Sequence, residues 1–311
     1  MTNVDLSVDR CGVRLRNPCL LAAGVLGTTA ALLERVARNG AGAVTSKSCS
    51  LLPRQGHRNP TVVPWEGGLI NAVGLANPGA EAMVSILVEA RRRLAPLGIP
   101  LIASIFAEEV SAFGTVVRIL EEAAPDFYEV NISCPNVAHE FGLPFAADPA
   151  QAALATAAVR AATRRPVIVK LSPNVVDICA VGRAVVEAGA DALAAINTLG
   201  PGMLIDVRAR APVLSNQTGG LSGPAIRPVA VRCVYELSRA VAVPIVGTGG
   251  VTTGEDAVEM IMAGATAVGV GSAFYRRGEG ALQAMAAELE AFMIEQGYDR
   301  VEAMRGLAHV A

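Results

Sequence analysis

The feature that most narrows the fold is a repeated joint: an Ala-rich helical stretch, a glycine and an apolar run follow one another without a spacer. It occurs at Gly40-Ala41-Gly42, Ala188-Gly189-Ala190 and Ala263-Gly264-Ala265. Glycine just past a helix takes the left-handed conformation and turns the chain straight into the next strand. Runs with strand character are Cys19–Ala23, Ala43–Lys47, Leu101–Phe106, Phe127–Ile132, Val167–Leu171, Ala192–Asn197, Pro244–Gly247 and Ala265–Gly271. Helical patterns lie between them at Ala80–Leu94, Val110–Ala124, Ala150–Thr163, Val176–Glu187, Ile226–Ala240 and Glu255–Ala263. Strands this continuously apolar are buried on both faces, as in a parallel sheet covered by helices. Eight such units in 311 residues predict an α/β protein, a closed (β/α)8 TIM barrel rather than an open doubly wound sheet. One domain, 1–311, is expected. Residues 1–17 read as a β-hairpin capping the barrel bottom, and the long connections 48–78, 133–148 and 198–223 as the top face.

Composition excludes several functions. The 26 Lys+Arg against 28 Asp+Glu leave a net charge of −2, so no basic field gathers nucleic acid or an anionic membrane surface. A mean hydropathy of +0.44 raises the question of a membrane protein. No apolar run approaches the ~20 residues of a spanning helix. The first ten residues carry Asp5 and Asp9 and lack the apolar stretch of a secretory signal. Six cysteines, at 11, 19, 49, 134, 179 and 233, form no CxxC and no short paired framework. Free thiols in a reducing cytoplasm are the expectation. His57, His139 and His309 lack ligand spacing, and no metal is expected.

A barrel places its chemistry at the C-terminal ends of its strands. There this sequence puts Thr45-Ser46-Lys47-Ser48, Asn131-Ile132-Ser133-Cys134-Pro135-Asn136, Lys170, Asn197-Thr198, Gly247-Thr248-Gly249-Gly250 and Gly269-Val270-Gly271-Ser272. Glycine turns after the last two strands, each leading toward a helix N-terminus, form the customary phosphate site of such barrels. Lys47 and Lys170 end apolar runs, where an ammonium is costly to bury unless a ligand or partner takes its charge. A cation there suits the electron-poor end of a flavin ring. Asn71, Asn131, Asn136 and Asn197 offer both donors and acceptors to an amide-rich planar ligand. Cys134 opens a long loop above the same mouth and is the candidate base, with Cys49 close by in sequence to Lys47.

The motifs NISCPNV (Asn131–Val137), INAVGLANPG (Ile70–Gly79), KLSPN (Lys170–Asn174), GGLSGP (Gly219–Pro224) and INTLGPGMLID (Ile196–Asp206) are specific as a set. From Leu15 to about Ala273 the chain resembles the dihydroorotate dehydrogenase family. Cys at 134 rather than Ser is similar to class 1, and the INAVGLANPG form with an N-terminus without a membrane helix is similar to the class 1B catalytic subunit. The resemblance implies oxidation of L-dihydroorotate to orotate in pyrimidine biosynthesis. Cys134 would take the C5 proton while hydride leaves C6 for FMN. Substrate would be held by Lys47, Asn71, Val73, Gly74, Leu75, Asn131, Asn136, Asn197 and Thr198. FMN would be held by Ala23, Lys47, Ser48, Ser104, Asn131, Lys170, Ile196, Gly223, Gly249, Gly250, Gly271 and Ser272. The chain departs from the family at Ala23, where Ser is common, and at Ser104, where Asn is common. The resemblance further implies a homodimer, extended to a heterotetramer by a subunit carrying FAD and a 2Fe–2S cluster that passes electrons to NAD. Open alternatives are a fumarate-linked class 1A enzyme and a dihydropyrimidine dehydrogenase-like flavin enzyme. A tRNA-modifying flavin barrel would call for a basic patch, and a flavin-free scaffold for a colourless protein.

Overall fold

In the computed structural model, which describes residues 4–132 and 145–309, eight short strands close into one parallel barrel. They are β1 (Cys19–Leu21), β2 (Ala43–Thr45), β3 (Leu101–Ile105), β4 (Phe127–Asn131), β5 (Val167–Leu171), β6 (Ala192–Ala195), β7 (Ile245–Thr248) and β8 (Ala267–Val270). Each pairs with its successor, and β8 pairs with β1 through Val268↔Cys19 and Val270↔Leu21. The helices are α1 (Ala30–Arg38), α2 (Ala80–Leu94), α3 (Val110–Leu120), α4 (Pro149–Ala162), α5 (Ile178–Glu187), α6 (Arg227–Ala240), α7 (Gly254–Met262), α8 (Ala273–Arg277) and α9 (Ala281–Gln296). Their apolar faces, such as Leu33 and Val36 on α1 or Met83 and Leu87 on α2, bury against the strands.

The glycine joints behave as the sequence predicts. Gly40, Gly189 and Gly264 have φ of +96°, +102° and +115°. At Gly264 the N–H donates to Ile261 O, and the Ala265 N–H donates to Met260 O. That double bond pattern caps the last carbonyls of α7 and leads straight into β8. The sequence runs overshoot the strands at their C-terminal ends. β2 stops at Thr45 rather than Lys47, and β6 at Ala195 rather than Asn197. The overshooting residues leave the hydrogen-bonded ladder to form the wall described below. β7 begins one residue later than expected because Pro244 has no N–H for the ladder. Helices α1, α8 and α9 lie outside the predicted patterns.

The N-terminal hairpin pairs Val8–Arg10 with Val13–Leu15, as expected. Its alternation turns Val8 and Arg10 inward, and Arg10, only 1% exposed, lies over the Phe127 ring with 5.5 Å to the ring centroid. At the opposite end two long connections cooperate. Val62–Trp65 and Gly68–Asn71, from the β2–α2 connection, pair antiparallel with each other. Gly219–Ser222 and Leu199–Gly202, from the β6–α6 connection, complete a four-stranded sheet in which Gly220 lies opposite Asn71. Of the third long connection, 133–144 lie outside the described residues, and Phe145–Ala147 form a short 3-10 turn.

One ion pair closes the last βα unit and gives a measurable pH effect. Arg277 on α8 pairs with Glu288 on α9, and Glu288 also accepts from the Gly254 N–H at 2.7 Å. The Arg277 hydrogen bond, then the Gly254 N–H, hold the Glu288 carboxyl below the usual 4.5. A carboxyl lowered in the folded state stabilises it above the unfolded value and loses that contribution as pH falls through the folded value. The Tm gap between wild type and Arg277→Met should therefore be full at pH 7 and shrink as acid passes below the Glu288 value. A gap independent of pH between 7 and 3 refutes this.

Candidate active site

The strand ends and the four-stranded sheet enclose a cavity of about 220 Å³. Its wall takes Ala23 from the end of β1, Lys47 and Ser48 from β2, Asn131 from β4, Lys170 from β5, and Ile196, Asn197 and Thr198 after β6. Leu69, Asn71 and Ser222 come down from the sheet. Register places Asn131 beside Lys170 on neighbouring strands. The Asn197 Nδ2 donates to Asn131 Oδ1 at 3.3 Å, and the Thr198 N–H donates to Asn197 Oδ1 at 2.8 Å. The Asn71 Nδ2 donates to Gly220 O at 3.2 Å, holding the sheet's two halves together at the cavity edge. Both lysines line this cavity, Lys170 at 7% exposure, and no Asp or Glu is among its described wall residues. The two lysines put positive charge on the wall of this space, which favours an anionic ligand.

The phosphate-type end is built from backbone. Gly249, Gly250, Gly271 and Ser272 all line the cavity. Gly250 has φ +77°, and a Cβ there would stand 2.8 Å from Gly223 O and 2.7 Å from Arg227 Cβ. Gly223 itself has φ +98°, and its Cβ would meet Gly68 Cα at 2.7 Å. Only glycine lets the β7 turn and the sheet approach this closely. Helix α7 follows, opened by a reciprocal cap between Thr253 and Asp256. Its first N–H groups are taken up by Glu288 and Thr253, which leaves the glycine turn ahead of it as the anion-facing backbone.

Fifteen of the expected site residues line the cavity: Ala23, Lys47, Ser48, Asn71, Val73, Leu75, Asn131, Lys170, Ile196, Asn197, Thr198, Gly249, Gly250, Gly271 and Ser272. Cys134 and Asn136 lie outside the described residues. Gly74 and Gly223 stand behind the wall, Gly74 against the backbone and ring of His57. Ser104 is not among the wall residues. It is fully buried, and its hydroxyl is taken up by Ser48 Oγ at 2.8 Å and Glu129 Oε1 at 3.1 Å. Cys49 also fails as a candidate base, being buried outside the wall with its thiol pushed up to about 12 by burial. Burial likewise pushes Cys19 up to about 12 and raises Cys11, Cys179 and Cys233. Val25, Leu69 and Ile226 join the wall without having been singled out. Such apolar residues carry no chemical signature in sequence, although Leu69 sits beside the motif INAVGLANPG; Ser222 and Thr248, also in the wall, belong to GGLSGP and the β7 glycine turn.

The model of the family described as dihydroorotate dehydrogenase matches residues 5–293. The chain belongs to the dihydroorotate dehydrogenase family. Among its relatives are proteins named dihydroorotate dehydrogenase B (NAD(+)), catalytic subunit. That of Methanothermobacter thermautotrophicus is 47% identical over 304 residues, covering 98% of each chain. That of Methanosarcina mazei is 48% identical over 299 residues, 96% of this chain and 93% of the other. That of Geobacter sulfurreducens is 44% identical over 313 residues, covering both chains in full. The family's enzymes are flavin-dependent oxidoreductases of pyrimidine biosynthesis. The wall fits a phosphorylated flavin. Glycine backbone that a Cβ would obstruct lies at one end, hydroxyls and amides line the middle, and Lys170 supplies a cation. Among the described residues no helix is long and apolar enough to cross a membrane, and no group of three His, Cys, Asp or Glu side chains could hold a metal ion.

Proposed function

We propose that this chain is the catalytic subunit of a class 1B dihydroorotate dehydrogenase, a cytoplasmic enzyme that oxidises L-dihydroorotate to orotate with FMN as its bound flavin. The observation that carries this reading is that Lys47, Lys170 and the glycine turns a Cβ would obstruct meet on one cavity wall. The substrate is a carboxylate, and the reduced flavin and its phosphate are anionic. FMN, when bound, supplies the acceptor for the hydride leaving C6 of the substrate. Lys170, Ser48, Ile196 and the turns Gly249-Gly250 and Gly271-Ser272 hold it, with Lys170 offsetting negative charge that develops on reduction. Lys47 holds the substrate carboxylate. Asn71, Asn131, Asn136 and Asn197 pair with the ring amides, and Thr198, Val73 and Leu75 complete the pocket. Cys134 takes the proton from C5, so that one proton and one hydride leave the substrate as the C5–C6 double bond forms.

The relatives' name, catalytic subunit of an NAD(+) enzyme, supports a second subunit that takes the electrons on to NAD. We place FAD and a 2Fe–2S cluster on that subunit, and a homodimer of this chain at the centre of a heterotetramer. The test is an anaerobic visible spectrum of the purified chain before and after L-dihydroorotate, with dihydrouracil as control. The flavin band should bleach with dihydroorotate alone. A flavin band that responds only to dihydrouracil, or to neither compound, refutes the substrate. A protein that takes up no FMN refutes the cofactor.

A further inference from the structure

Beneath the cavity floor runs a chain of buried polar groups. Ser48 lines the cavity, and its Oγ is 2.8 Å from Ser104 Oγ. The Ser104 hydroxyl donates to Glu129 Oε1 at 3.1 Å, while the Ser104 N–H donates to Ser46 Oγ at 3.1 Å. Glu129, in the middle of β4, faces the barrel interior, where it shares a void of about 10 Å³ with Arg10, Thr45, Lys170 and Thr248. That void is about the size of one water molecule. Arg10 enters from the hairpin below, and its Nε and Nη2 have no hydrogen-bond partner among the described residues. Burial lowers the Arg10 guanidinium to about 10, so it is still a cation at neutral pH. A buried carboxylate is tolerated when cations flank it, and here Arg10 stands below Glu129 and Lys170 above.

We propose that Glu129, with Arg10 matching its charge, is a positioning residue that fixes the direction of the Ser48 hydroxyl and so makes that point of the wall a hydrogen-bond acceptor. A carboxylate only accepts, so Ser104 must give it its single proton. The Ser104 oxygen then has lone pairs alone to offer Ser48. Ser48 gives its own proton downward and turns lone pairs toward the cavity. A serine hydroxyl elsewhere rotates to suit its ligand; this one is set before the ligand arrives. The ligand must therefore bring a donor to Ser48. The inference rests on the flavin reading above and assigns to Ser48 the single N–H of the oxidised ring, at N3; the ribityl hydroxyls, which also donate, are the same in the two compounds compared below.

The experiment titrates flavin-free protein with FMN and with FMN methylated at N3, following flavin fluorescence. Wild type should prefer FMN by at least about tenfold, since the methyl compound leaves a buried acceptor unmet. In Glu129→Gln the side-chain amide can donate to Ser104, which reverses both hydroxyls and should reduce the preference to under about threefold. Ser104→Ala severs the chain without touching a charge and should do the same; it carries the test if Glu129→Gln does not fold. The double variant should be no less selective than either single one, because all three act through Ser48. Wild type that binds both compounds equally overturns the relay and leaves the flavin reading standing. A preference that survives in Ser104→Ala also overturns it, as a steric effect of the methyl group. Wild type that takes up neither compound overturns the flavin reading and the relay together.

Discussion

Cys134→Ala is expected to purify with its flavin and to reduce it with dihydroorotate about 10³-fold more slowly than wild type, the usual loss when a general base is removed. The described thiols offer no substitute: burial raises every one of them, and none is in the cavity wall. In sequence Cys134 is two residues past Ile132 and three past the wall residue Asn131. Further along the chain, the Ala146 N–H donates to Ile132 O at 3.1 Å and Phe145 packs edge-on against Phe113. Stopped-flow mixing under anaerobic conditions measures the rate directly. Flavin reduction by Cys134→Ala at the wild-type rate would remove the cysteine from the mechanism.

The second large effect concerns binding alone. Gly250→Ala should weaken FMN binding by about 100-fold while leaving a folded barrel. Its new Cβ meets Gly223 O at 2.8 Å and the Arg227 N at 2.9 Å, both backbone atoms, so the turn itself must move. Moving backbone N–H groups off a dianion loses charge-assisted hydrogen bonds of about 1.5–3 kcal/mol each, and about 1.4 kcal/mol is tenfold in affinity. The left-handed φ of +77° adds strain of its own. Gly98→Ala separates the two effects, since Gly98 has φ +63° with open space around its Cβ position and lies outside the cavity wall. That variant should lose stability and bind FMN as wild type does. Equal FMN affinity in Gly250→Ala and wild type refutes the phosphate cradle.

Legibility of the sequence followed the range of the physics involved. Helix ends set by glycine are local, and Gly40, Gly189 and Gly264 were readable from three residues each. Strand-end lysines and asparagines were readable because a polar residue closing an apolar run has few structural excuses. The roof was not readable as strands, since Gly68–Asn71 and Gly219–Ser222 are short, glycine-rich and paired across most of the barrel. Ser104, expected beside the flavin, lies against the wall residue Ser48 and is not itself among the wall residues. Arg10 was missed although its signal is plain: it shares the inward face of its strand with Val8. Glu129 was hidden in the same way, as one charge inside an apolar strand.

The paired roof strands have a consequence for synthesis. Asn71 finds its partner Gly220 only when the β6–α6 connection has been made, and the wall closes only with Gly271 and Ser272 from the last strand. Contacts of such sequence separation form late. While still attached to the ribosome, a growing chain that has emerged as far as β7 therefore has no complete place for a nucleotide-sized ligand. Bound ligand becomes a mark of chains that have been finished and closed, and truncated products should be colourless however well their first strands have folded.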